Sequence, residues 1–148
     1  MKKLFLLSAL SFICFAVFAQ SKAEDVVKFP ELVHDFGKIK QGVPTTFDFE
    51  FKNVSEKPVV VANASASCGC TTPKWPQAPV MAGKTEKINV GYNAANVGAF
   101  SKTITVKLAG VDSPVTLTIS GEVLTSEAYD AYVKENASKG KSKGKSGK

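Results

Sequence analysis

The chain has 148 residues, 44% of them apolar and 22% charged, which is one domain's worth of sequence and enough for a modest core, with no room for a second. Its formal charge of +6 is concentrated at the ends, in Lys2, Lys3 and six lysines between Lys134 and Lys148. From Gln20 to Val133 eleven lysines face twelve acids, so the body is close to neutral and the tail is basic.

In chain order, Lys2 and Lys3 precede an apolar run from Leu4 to Phe18, and Val17-Phe18-Ala19 places small side chains where a signal peptidase reads. Residues 1–19 are therefore expected to be a signal peptide cut after Ala19, because the run is shorter than the ~20 residues that cross a bilayer. Lipid attachment at Cys14 is not expected, since Ser11-Phe12-Ile13 puts a large residue where the lipoprotein peptidase wants a small one. Removing nineteen residues from 148 leaves 129, a periplasmic or secreted chain that no longer spans a membrane. Cys14 departs with the signal. Cys68 and Cys70 remain as a pair in an oxidising compartment.

The body reads as strands. Phe47, Phe49 and Phe51 alternate with Asp48, Glu50 and Lys52 in "TTFDFEFKN", the period of two that turns one face inward and the other to water. The same period recurs in "KINVGY" (Ile88, Val90, Tyr92), "FSKTITVKL" (Ile104, Val106, Leu108) and "VTLTISGEV" (Val115, Leu117, Ile119, Val123). "PVVVANA", from Pro58, is more evenly apolar and reads as a strand covered on both faces. Val26 to Phe29 and Val33 to Ile39 supply weaker strands around Pro30. Turn residues separate these runs at Lys40-Gln41-Gly42, Asn53 to Pro58, Ala82-Gly83, Asn93 to Gly98 and Gly110 to Pro114. About seven short strands at this spacing predict an all-β, immunoglobulin-like β-sandwich over residues 26–123.

The longest interruption, Ser65 to Met81, is expected to be a loop, and it holds Cys68, Cys70, Trp75 and three prolines. Residues 124–136 predict a short helix capped by Ser126, with Ala128, Tyr129, Tyr132 and Val133 on one stripe. The Lys/Gly/Ser tail at 137–148 has nothing to bury and is expected to be disordered.

Three chemistries are open to Cys68-Gly69-Cys70. The two sulfurs can form a disulfide, which closes a ring too short to remove much unfolded-state entropy. As thiolates they can hold a soft ion such as copper, with Met81 and His34 as candidate further ligands. As an exposed, strained pair they can exchange with substrate thiols. The plainest alternative is an inert pair packed beneath the Trp75 loop. No catalytic residues are expected. His34 is the sole histidine, and Asp35 beside it points to the opposite face of a strand. Trp75 and Lys74 are candidate partner-binding residues, against the alternative that Trp75 covers one end of the sandwich. The triplets Asn53-Val54-Ser55, Asn63-Ala64-Ser65 and Asn136-Ala137-Ser138 fit the glycosylation pattern but are short enough to recur by chance. The lysine tail suits weak contact with polyanions, though without interleaved aromatics it is not expected to bind nucleic acid. No phosphate-binding glycine loop or His-rich metal motif is present, and no cofactor is expected.

"HDFGKIKQG", "FEFKN", "ASCGCTTPKWP", "VMAGKTEKINVGYN", "GAFSKTITV" and "ISGEV" together resemble the secreted bacterial domain of unknown function numbered 1573, over about His34 to Val123. The Cys-Gly-Cys-Thr block followed by Trp-Pro makes the resemblance specific, and Ala82 departs from it where the family has proline before Gly83. The resemblance implies bacterial export and an immunoglobulin-like fold and supplies no activity. The expectation is a non-enzymatic binding or scaffolding module whose partner is an envelope protein or glycan. The competing expectation is a thiol-dependent site at Cys68 and Cys70 for copper binding or disulfide exchange.

Overall fold

Phenylalanines at positions 47, 49 and 51 share a side only if the chain is extended, and Thr45–Asn53 is the strand they imply, β3. The computed structural model describes residues 22–142, so the expected signal peptide and residues 143–148 of the tail lie outside the described residues. Before β3 come the helical turn α1 (Ala23–Val26), the two-residue β1 (Val27–Lys28) and β2 (Val33–Lys40). After it come β4 (Val61–Ala66), β5 (Thr71–Lys74), β6 (Thr85–Tyr92), β7 (Gly98–Leu108), β8 (Val115–Leu124) and α2 (Ser126–Ser142).

Two four-stranded sheets, ordered β1-β3-β6-β5 and β2-β8-β7-β4, stack face to face. All pairings are antiparallel except β2 with β8. Between the sheets lie Phe49, Phe51, Ile88 and Val90 from one and Ile104, Val106, Leu117, Ile119 and Val123 from the other, each at most 1% exposed. Burying a side chain of this size contributes ~1.5–3 kcal/mol, so this interior is what drives the strands together. The alternate positions Glu50, Lys52, Lys107 and Thr116 are exposed, as period two requires. The all-β sandwich is as expected, with eight strands where about seven are predicted.

The additional strand is β5, inside the segment 65–81 that reads as a loop. Thr71 and Pro73 sit opposite Tyr92 and Val90, and Pro73 is tolerated because β5 is the edge of its sheet. The strand predicted at Pro58–Ala64 is also corrected. β4 begins at Val61 and is a sheet edge, with Val59, Val61 and Ala64 buried and Ala62 and Asn63 exposed, so only one of its faces is covered.

Gly37, at φ +64°, makes a bulge where the β2–β8 register slips between Asp35 and Lys38, and Asp35 Oδ1 accepts the Gly37 N–H at 2.9 Å. The Gly37 carbonyl oxygen and the Phe100 ring stand 2.8 and 2.9 Å from where a Cβ on Gly121 would be, so a side chain at 121 does not fit. At the C-terminus Thr125, not Ser126, caps α2, its Oγ1 accepting the Ala128 N–H at 3.3 Å. Lys40 Nζ reaches Asp130 Oδ1 at 3.0 Å and Lys38 Nζ lies 5.0 Å from the Tyr132 ring centre, which ties the helix beside β2. Tyr129 is half-buried, whereas Ala128, Tyr132 and Val133 of the expected stripe are exposed. α2 also runs to Ser142, beyond the boundary at 136 and into the segment expected to be disordered.

Candidate functional site: the corner between the sheets

β4 belongs to one sheet and β5 to the other, and the chain crosses between them in the few residues from Ser67 to Cys70. That crossing bends the backbone at Gly69. The Cα atoms of Cys68 and Cys70 are 5.3 Å apart with the sulfurs at disulfide distance, whereas i and i+2 of a straight strand lie ~6.6 Å apart. Both flanks of the corner are pinned. The Ser67 N–H donates to the Thr103 carbonyl at 2.9 Å, and the Asn93 N–H donates to the Cys70 carbonyl at 3.1 Å. Thr71 is 3% exposed, its N–H donates to the Cys68 carbonyl at 3.3 Å, and its Oγ1 lies 3.6 Å from Cys68 Sγ and 3.9 Å from Cys70 Sγ. A disulfide here closes so short a ring that it restricts the unfolded chain little, so the backbone bonds hold the corner.

The residues that follow define the surface around it. Lys74 is exposed at the end of β5, opposite Asn89 on the outer face of its sheet. Trp75 is half-buried, packed against the core with part of its side chain exposed. The segment then returns to β4's side, where Val59 and Val80 exchange backbone hydrogen bonds of 2.9 and 2.7 Å.

The candidate metal ligands are not brought together. Met81 is 56% exposed beside the Val59–Val80 bridge, roughly eight residues or ~25 Å along the strand direction from the cysteine corner. His34 is on β2, at the opposite edge of the sheet from β4, three strand spacings or ~14 Å across. Its ring stacks on Phe47 at 3.5 Å and meets Phe36 edge-on at 4.8 Å, and its Nδ1 is 3.2 Å from Glu31 Oε1. Among the described residues no three His, Cys, Asp or Glu side chains form a group able to hold a metal ion.

Charge on the sandwich is local. On the outer face of the β1-β3-β6-β5 sheet, Lys87 Nζ and Asn89 Nδ2 each donate to Asp48 at 2.6 Å, and these bonds, Lys87's first, hold the Asp48 carboxyl below its ordinary value. The same bond raises Lys87, while burial raises the Tyr92 hydroxyl, whose ring stacks on Phe100 at 4.0 Å.

Asn53 is a structural centre that sequence reasoning passes over as part of a chance Asn-x-Ser triplet. It is 0% exposed, and its side chain is fully used: Nδ2 donates to the Lys57 and Val80 carbonyls at 2.8 Å each, and Oδ1 accepts from the Ser55 N–H and hydroxyl at 2.9 and 2.8 Å. The signal for it is periodicity. Asn53 occupies the inward position that continues 47, 49 and 51, where a polar residue has to find partners inside. A second feature without a sequence signal is a cleft of about 610 Å³ lined by Val27, Phe29, Leu32, Pro114 and Val115, with Lys22, Glu24 and Lys28 at it.

Residues 27–123 match a protein family described as being of unknown function, DUF1573. The chain belongs to that family. The DUF1573 match begins at β1 and ends within β8, so α2 lies outside it. Among solved structures the chain is similar to a protein of unknown function from Porphyromonas gingivalis W83, with a TM-score of 0.57 and 12% identity over 66% of this chain and 46% of that one. It is similar to the PapD-like domain 7 of human CEP192, with a TM-score of 0.61 and 9% identity over 80% and 99% of the two chains. It is also similar to the Vibrio cholerae VesB protease, with a TM-score of 0.53 and 13% identity over 68% of this chain and 33% of that one. The chain thus spans less than half of the Porphyromonas protein and about a third of the protease. At these identities the likeness is one of fold alone, an all-β sandwich. No curated protein matches the sequence.

Proposed function

We propose that this DUF1573 protein is an exported, non-enzymatic module that binds or scaffolds a protein or glycan of the bacterial cell envelope, without a cofactor. The observation that carries the reading is that the side chains best suited to chemistry are engaged structurally. His34 is stacked and paired with Glu31, and Cys68 and Cys70 face each other. The contact surface in this reading is the exposed Lys74 with the half-buried Trp75 beside it. The likeness to a PapD-like domain that this fold covers over 99% of its length supports a self-contained module.

The test is retention of envelope proteins and glycans by the immobilised mature chain, compared with Trp75→Ala and Lys74→Glu. A component held by the native chain and lost from both variants, with their folds intact, is expected; equal retention would sink the Lys74–Trp75 surface. Fractionation of the host is expected to find a chain lacking residues 1–19 in the periplasm, and a full-length cytoplasmic chain would refute export. A second reading, disulfide exchange, is favoured by one observation, the Thr71 hydroxyl beside both sulfurs, where it can donate to a thiolate. Mixed disulfides between Cys68 or Cys70 and a partner's thiol, trapped in the native host, would move the assignment to that reading.

A further inference from the structure

The corner between β4 and β5 buries a hydroxyl that has only sulfur to bond to. Thr71 is 3% exposed, and the described hydrogen bonds of its Oγ1 go to Cys68 Sγ at 3.6 Å and Cys70 Sγ at 3.9 Å. A sulfur within a disulfide is a weak acceptor, whereas a thiolate carries a full charge and accepts strongly. A buried donor that is poorly served in one state and well served in another favours the second. Thr71 therefore stabilises a sulfur released as a thiolate when the bond between Cys68 and Cys70 opens.

Opening that bond leaves the corner in place, because the Ser67–Thr103 and Asn93–Cys70 backbone bonds on its two flanks do not depend on sulfur. The two cysteines are not equivalent. Cys70 packs against the core cluster, and among the described residues Cys68, also half-buried, is not part of that packing. Beside Cys68 the exposed Gly69 carries no side chain, and apart from its chain neighbours no heavy atom lies within 4 Å of where its Cβ would be. An incoming sulfur thus has room next to Cys68. Core packing by itself disfavours a charge on Cys70, and the Thr71 hydroxyl is the donor that offsets this.

We propose that a partner's thiolate attacks Cys68 and that Cys70 leaves as a thiolate held by the Thr71 hydroxyl, which makes the chain an oxidant for a polypeptide dithiol. These roles rest on the disulfide-exchange reading and divide its chemistry between the two sulfurs. In the first step a bond forms between the partner's sulfur and Cys68 Sγ, the Cys68–Cys70 bond breaks, and its electron pair departs on Cys70 Sγ. In the second, another thiolate of the partner attacks the partner's own sulfur in the mixed disulfide, and the electron pair leaves on Cys68 Sγ. The partner's dithiol loses two electrons and two protons, the cysteine pair gains them, and no further reagent takes part. A dithiol is the substrate class because Cys70, held two residues from Cys68 with its Cα 5.3 Å away, returns to expel a partner that has a single thiol.

The experiment treats the oxidised mature chain with reduced glutathione, a monothiol, and with dithiothreitol, a dithiol. After an acid quench, fragmentation is expected to place the glutathione adduct on Cys68. Thr71→Val is expected to slow reduction by dithiothreitol roughly tenfold or more, the equivalent of one hydrogen bond to a charged group, and Thr71→Ser to restore most of the rate. In the reduced chain the ultraviolet absorbance of thiolate is expected to appear at higher pH in Thr71→Val than in Thr71→Ser, a change that loss of packing alone would not produce. The single-thiol variants Cys70→Ser and Cys68→Ser give a second measurement: Cys68 is expected to react faster with glutathione disulfide than Cys70 does. An adduct on Cys70, or Thr71→Val as fast as the native chain, overturns the roles and leaves mixed disulfides found in the host standing. Absence of such mixed disulfides from the host, with Cys68 still the mapped site, sinks the exchange reading and the polypeptide partner with it.

Discussion

Replacing Asn53 by alanine removes four hydrogen bonds from a site with no access to solvent. Two of the stranded groups keep another partner. The Val80 carbonyl still accepts the Val59 N–H, and the Lys57 carbonyl still accepts the Ser55 hydroxyl. The Ser55 N–H loses its partner, and a small void is left. At ~1 kcal/mol net for each bond lost, discounted for what remains and increased by the void, the expected cost is about 3 kcal/mol. In a domain of this size that lowers the melting temperature by on the order of 10 °C. Asn63→Ala, in the triplet that looks the same in sequence, is expected to cost almost nothing, because Asn63 is exposed. Asn53→Asp sharpens the argument. It keeps the acceptor for Ser55 but points a carboxylate oxygen at the Lys57 and Val80 carbonyls in place of a donor. The folded state therefore prefers the protonated acid, its pKa is raised relative to the unfolded chain, and the variant should lose stability as pH rises through the range where the unfolded aspartate ionises. Thermal and urea melts from acid to neutral pH measure all three. A cost for Asn53→Ala no larger than that for Asn63→Ala, or an Asn53→Asp variant more stable at neutral than at acid pH relative to the native chain, would refute the reasoning.

Phe49→Ala should cost ~3–5 kcal/mol by urea denaturation while Glu50→Ala, its exposed neighbour, stays near zero, and equal effects would contradict the observed register. Asp48, held below its ordinary value by Lys87 and Asn89, contributes stability that is present above the ordinary carboxylate pKa and lost as pH falls through the depressed one; Asp48→Asn should remove that small acid-side loss in melts below pH 5, and since the pair is exposed the effect is modest. Truncation after Asn136 should leave the melting temperature unchanged, because the contacts that tie α2 to the sandwich, at Asp130 and Tyr132, precede the cut. Salt-sensitive retention on a polyanion column should weaken in the same variant, and undiminished retention would show that the terminal lysines are not what binds.

The strands that the sequence reveals are those whose inward face is made of large apolar residues at every second position. β3, β6, β7 and β8 are of this kind, and they supply the whole central core. Elements positioned by their neighbours are hidden. β5 presents Thr71 and Pro73 inward, which no hydrophobic alternation marks, and it is a strand because the edge of β6 is there to pair with it. The three valines from Val59 read as doubly covered because composition does not distinguish a central strand from an edge with one exposed side. At the corner, the cysteine spacing leaves the pairing open, because the distance between two Cα atoms depends on the bend at Gly69. Whether His34 or Met81, the candidate further ligands, lie near the corner is a matter of tertiary topology that spacing along the chain does not report.

The parallel pairing of β2 with β8 imposes an order of events on any chain made or exported from its N-terminus. β2 is an outermost strand with β8 as its one neighbour in the sheet, and His34 is aligned with Ile119, 85 residues later. The first long strand therefore has no neighbour for its backbone hydrogen bonds until the last one has emerged, although His34 can already stack on Phe47 of β3. Such long-range closure is slow compared with hairpin formation. A chain arrested anywhere before residue 115 lacks a side of its second sheet, so the finished sandwich forms only once delivery is essentially complete.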